Sequence, residues 1–203
     1  MANTQGDVLA LLMDSNERAR VTRAFVLNPE RAWSAAAMAE AVQVPAAVAR
    51  QTLRALARAG FARAVRRRSS LLAVEYAPMN GFAFSAFQEF VLRVALPDLT
   101  QWARELARAG GRVRLVVASG ILAGDPARPE SEATPELLIV ADKADPARLR
   151  RAVARLEREI GRELAVAIFS REEFAYRRNI HDRALREVFE RPHRVVRGSL
   201  EGL

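Results

Sequence analysis

Two short amphipathic helices separated by a tight turn, with two strand-like runs directly after them, constrain the fold of this chain more than any other feature. Ser34 can cap a short helix whose small apolar face is Ala35, Met38, Ala39 and Val42. Gln43-Val44-Pro45 reads as a tight turn, with Pro45 suited to the first position of the next helix. That helix runs to about Ala59, buries Val48, Thr52, Leu53 and Leu56 along one side, and stops at Gly60. Upstream, Ser15 can cap a helix reaching Leu27, where Asn28-Pro29 ends it. Downstream, Phe61 to Arg66 and Leu71 to Tyr76 read as strands flanking Arg67-Arg68-Ser69-Ser70.

Charge follows this pattern. The chain has 203 residues and a formal charge of +8, and 31 of its 32 basic residues are arginine. Residues 1–80 hold +5 and the longer remainder only +3, so the excess is concentrated around the helix pair. Arginine suits bidentate contact with phosphate and guanine, which points to nucleic acid, although a biased genome composition also enriches arginine. Without cysteine there is no disulfide framework, thiolate nucleophile or cysteine-based metal site. No run of eighteen apolar residues exists and Met1 to Asp14 lacks a basic flank, so the expected location is the cytoplasm and no membrane partner is expected.

Punctuation at Ala77-Pro78-Met79-Asn80-Gly81 suggests a boundary, giving a first domain over 1–80. A long helix, roughly Phe84 to Ala109 and broken or bent near Pro97, reads as a connecting helix over 81–110. Its stripe of Phe84, Phe87, Val91 and Val94 is either a packing seam or a subunit interface. Over 111–203 strands alternate with helices: a strand at Val113–Ala118, a polar loop from Gly124 to Ala133 and a strand at Glu136–Ala141. A helix at Pro146–Ile160, a strand at Leu164–Phe169, two short helices and an extended end at Arg194–Arg197 complete a small α/β domain.

Three helices followed by a basic hairpin constitute the winged form of the helix-turn-helix. In that arrangement the helix Pro45–Ala59 reads the major groove from the side opposite its apolar face. Ala46 and Ala47 permit close approach there, Arg50 and Arg54 can address guanine or phosphate, and Gln51 can address adenine. Arg66, Arg67 and Arg68 at the hairpin tip can hold phosphates or enter the minor groove. The expected partner is duplex DNA.

Ser15 to Tyr76, with "NERARVTRAFVLNPE" leading into "AAAMAEAVQVPAAVARQTLRALARAGF", resembles the winged-helix domain of ArsR-type and MarR-type regulators. The order of elements that follows is similar to a subgroup in which this domain is fused to a minimal nucleotidyltransferase fold. The resemblance implies an α+β/α/β two-domain protein: an N-terminal winged helix-turn-helix, and a C-terminal nucleotidyltransferase-like small mixed sheet with helices. In that subgroup a Gly-Ser pair holds nucleotide phosphates and an Asp-x-Asp strand holds divalent metal. Here Ala118-Ser119-Gly120 stands at the first motif and Thr134-Pro135-Glu136 at the second. The resemblance thus implies a degenerate nucleotide site at Ser119, Gly120, Thr134 and Glu136. Two metals need several carboxylates to offset their charge, and "LAVAIF" supplies none; Asp125, Glu130 and Glu132 have the spacing of a solvated loop.

The expected function is therefore a DNA-binding transcriptional regulator, a homodimer, without catalytic residues, metal or cofactor. Its second domain would serve dimerisation or sensing of a small molecule or nucleotide. The alternatives are a metal-dependent nucleotidyltransferase with a divergent site, and a winged-helix module that binds protein. His181 and His193 have no partners at metal-ligand spacing, Ser119 lacks a nucleophile-elbow context, and Glu172-Glu173 fits a helix start after Ser170.

Overall fold

A computed structural model describes residues 7–66, 74–109, 111–125 and 134–201. The chain is mixed α and β, with nine α-helices and two small sheets among the described residues. It divides into two compact units, one of residues 1–96 with 157–162, the other of 97–156 with 163–203. None of the described helices is long and apolar enough to cross a membrane.

The first unit begins with α1 (Val8–Met13) and α2 (Asn16–Leu27), then β1 (Trp33–Ser34), α3 (Ala35–Val42) and α4 (Ala46–Arg58). β2 (Ala62–Arg66), β3 (Val74–Pro78) and α5 (Phe82–Val94) follow. Side-chain caps set the helix starts: the Ser15 hydroxyl accepts from the Arg18 amide at 3.3 Å, and that of Ser34 from Ala37 at 3.1 Å. Pro45 is the capping residue of α4 and not its first helical residue, because its ψ of 137° is still extended. The strands form one antiparallel sheet in the order β1-β3-β2, with Trp33 opposite Tyr76 and Ala64 opposite Tyr76 on the other side. Buried Phe25, Trp33, Met38, Val42, Leu53 and Leu56 join helices and sheet in one core. α5 packs on α2, with Phe84 edge-on to Phe25 at 6.3 Å and Gln88 donating Nε2 to the Val26 carbonyl at 3.1 Å.

The helix expected over 84–109, broken or bent near Pro97, is broken there into two. α5 ends at Val94 and α6 (Leu99–Ala109) starts after Pro97, which cannot donate an amide into a helical ladder; Asp98 instead accepts from Thr100 and Gln101. The second unit continues with β4 (Arg112–Ser119), a 3₁₀ turn (Gly120–Ala123) and β5 (Leu137–Asp142). Then come α7 (Pro146–Ile160), β6 (Val166–Phe169), α8 (Arg171–Asn179), α9 (Arg183–Glu190) and β7 (His193–Arg197). The sheet order is β6-β5-β4-β7, parallel between β5 and β6 and antiparallel elsewhere. The parallel pair requires a crossover, which α7 supplies. Leu115, Val117, Leu138 and Val140 project from one face onto Phe174 of α8 and Leu185 and Val188 of α9. α6 packs on β4 and β7, and its Trp102 donates Nε1 to the Ala152 carbonyl of α7 at 3.1 Å.

Candidate functional site

Helical periodicity divides α4 into two sides. Ala49, Thr52, Leu53 and Leu56 are buried, and the Thr52 hydroxyl is spent on the Val48 carbonyl at 2.9 Å. Ala46, Ala47, Arg50, Gln51 and Arg54 are all exposed, together with Ala55 and Arg58. Arg50, Arg54 and Arg58 succeed one another at one-turn intervals, and none of them makes an ion pair with a described residue. Sequence reasoning missed Arg58; its signal was the same four-residue spacing, carried one turn further. Arg63 on β2 is exposed as well. Before α4, Gln43 adopts a left-handed backbone (φ 52°), closing the turn so that Val44 bonds back to Ala39 at 3.0 Å. Of the expected hairpin arginines, Arg66 is the last residue of β2, and Arg67 and Arg68 lie outside the described residues.

In the second unit the residues aligned with a nucleotide site are brought together, and each is already engaged. Ser119, Thr134 and Glu136 are buried. Ser119 ends β4 and donates its hydroxyl to the Pro135 carbonyl at 2.7 Å, while its amide donates to the Glu136 carbonyl at 2.9 Å. Gly120 opens the 3₁₀ turn with a left-handed φ of 54°, and the Glu136 side chain lies at van der Waals distance, 3.4 Å, from where its Cβ would stand. The Thr134 hydroxyl donates to Glu187 of α9, which also receives Arg183 Nε at 3.0 Å. Asp125 takes Arg191 in a two-nitrogen contact at 3.2 and 2.7 Å. Glu130 and Glu132 lie outside the described residues. Among the described residues no three His, Asp or Glu side chains converge as a metal site. His181 and His193 are exposed, the latter edge-on to Phe189 at 5.3 Å.

The Thr134 hydroxyl, then the Arg183 and Arg191 charges, hold the Glu187 carboxyl below its ordinary pKa, against the opposing effect of burial. A depressed folded pKa stabilises the fold above the ordinary glutamate range, and this stability is lost as pH falls through the folded value. The parent is therefore expected to be more stable than Glu187→Gln near neutral pH, with the difference in urea midpoint, followed by Trp102 fluorescence, shrinking as pH falls through the folded value. A difference that stays constant with pH would contradict it.

Comparison of the chain with protein-family models, with curated proteins and with solved structures finds no match.

Proposed function

We propose that this protein binds duplex DNA as a transcriptional regulator, with the first unit as a winged helix-turn-helix. The observation that carries the reading is the outer side of α4: small residues at Ala46 and Ala47, then Arg50, Gln51 and Arg54, exposed and making no ion pair with a described residue. An ordinary solvated helix side pairs its cations with acids one turn away. This one has no acid anywhere along α4. The element order α2, β1, α3, α4, β2, β3 and the sheet order β1-β3-β2 support the winged form. Arg50, Gln51 and Arg54 would read base edges, and Arg66 with Arg67 and Arg68 would hold the backbone. Dimers reading two half-sites one helical turn apart are the common arrangement of this motif, and a homodimer is proposed here.

The second unit is proposed as a nucleotidyltransferase-like domain without catalysis, serving dimerisation or ligand sensing. Internal engagement of Ser119, Thr134 and Asp125 supports that assignment.

Selection of a preferred duplex from random sequence, followed by titration at two salt concentrations, tests the proposal. Affinity is expected to fall with log salt by about 0.9 for each phosphate neutralised. Arg50→Ala/Arg54→Ala is expected to weaken the preferred duplex by about tenfold or more and a scrambled duplex much less, because base contacts discriminate. Equal low-salt binding by parent and variant would refute the base-reading role.

A further inference from the structure

An open cavity of about 440 Å³ lies between α6 and α7 of the second unit. Trp102, Leu106 and Ala152 form its apolar floor, and Arg148, Arg151 and Arg155 stand along its edge. We propose that it binds a small organic anion, a phosphate or carboxylate carried on an apolar ring, with the arginines on the anionic group and the ring on the floor. The inference is independent of DNA binding and concerns residues apart from Ser119, Thr134 and Glu136.

Helical spacing assembles the cavity. Positions 148, 151, 152 and 155 fall on one side of α7, and 102, 105 and 106 on one side of α6. Three cations within two turns repel one another unless something anionic lies among them. The chain supplies that compensation in part. Glu105, across the cavity, pairs with Arg155, so a carboxylate is already seated against one of the guanidinium groups. Arg148 reaches only Asp145, at 3.2 Å with both side chains about half exposed, and such a pair contributes little. Of the three arginines at the cavity, Arg151 is the one that makes no ion pair with a described residue.

The remaining features select the ligand's size and body. Leu106 and Trp102 are buried, and the indole is pinned by its bond to Ala152, so the floor is apolar and rigid. The volume falls within the few hundred Å³ of small-molecule sites. Guanidinium forks match the geometry of carboxylate and phosphate oxygens, and the apolar floor favours an anion with a hydrocarbon part over a bare ion.

Calorimetric titration of the full chain with phenyl phosphate and with benzoate tests the site and separates the two anion types, with inorganic phosphate as the probe lacking a ring. At least one ring-bearing probe is expected to bind saturably at one site, about tenfold tighter than inorganic phosphate. Arg151→Ala is expected to weaken it by about fivefold or more, while Arg150→Ala, an exposed arginine of α7 outside the cavity, leaves it unchanged. Trp102 fluorescence verifies that both variants fold. The proposal is overturned by any of three results: no saturation by about 10 mM of either ring-bearing probe, equal weakening by the two substitutions, or inorganic phosphate binding as tightly.

Discussion

Replacing Arg23 by methionine is expected to destabilise the first unit by about 1–3 kcal/mol, the usual cost of leaving a buried acceptor without its donor. Arg23 lies on α2 and is 3 % exposed. Its Nε donates to the Ala95 carbonyl at 2.5 Å, Nη1 to the Glu159 carbonyl at 2.8 Å, and Nη2 to the Asp7 carboxylate at 2.6 Å. Ala95 closes α5 and Asp7 caps α1, so one guanidinium holds the ends of two helices against a third. Methionine preserves most of the stem's packing but leaves the buried Ala95 carbonyl without its donor, and an unmet buried acceptor bears the full desolvation cost; Asp7 and Glu159 remain open to water. Urea unfolding followed by the fluorescence of Trp33, the buried tryptophan of this unit, should show a midpoint lower by about 1 M. Arg23→Lys is expected to recover only part of the loss, because an ammonium lacks the planar fork that meets three separated acceptors. An unchanged midpoint in Arg23→Met would mean that these bonds contribute nothing net.

Gly161→Ala is expected to cost about 2–5 kcal/mol by adding two independent penalties. Gly161 follows α7 with φ +76°, a backbone that disfavours any side chain. An added Cβ would also stand 2.2 Å from the Cβ and 2.8 Å from the Cα of Ala24 on α2, closer than atoms can approach. Asn28 fixes this contact by donating Nδ2 to the carbonyls of Ala24 at 2.6 Å and Gly161 at 3.0 Å. Part of the steric penalty can be removed. In an Ala24→Gly background the 2.2 Å contact is gone and the loss should become smaller, while the 2.8 Å approach to the Cα at position 24 and the left-handed backbone remain. Urea unfolding of the two single variants and the double variant measures the part due to the Ala24 side chain. Strictly additive losses would show that Ala24 and Gly161 do not press on each other.

Much of the fold was legible because its local signals are strong. Ser15, Ser34 and Ser170 cap helices where hydroxyl side chains precede apolar periodicity, and α7 spans Pro146–Ile160 as its punctuation indicates. β5 starts at Leu137, one residue later than expected, and β3 continues to Pro78 through the punctuation expected to end it. Proline tolerates that position because it is the last residue of its strand. β1 was illegible: two residues, Trp33 and Ser34, form a strand only because Tyr76 and Glu75 lie opposite them. The 3₁₀ turn after Ser119 was missed for a related reason, since it is closed by bonds from Gly124 and Asp125 and not by any periodic pattern. The exposed side of α4 could be read in advance because amphipathic spacing alone decides it. The cavity between α6 and α7 could not, because it joins positions some fifty residues apart that only the packing of the two helices brings together.

In α4, the positions that hold the fold and the positions proposed to read a partner are separate sets. Ala49, Leu53 and Leu56 face the core, whereas residues 46, 47, 50, 51 and 54 touch little of it. Exchange of those outer side chains therefore need not disturb folding, since surface substitutions away from special features shift stability little. A helix so divided is open to retargeting: descendants of this chain could drift to new partners along one side of α4 while selection for foldedness acts on the other.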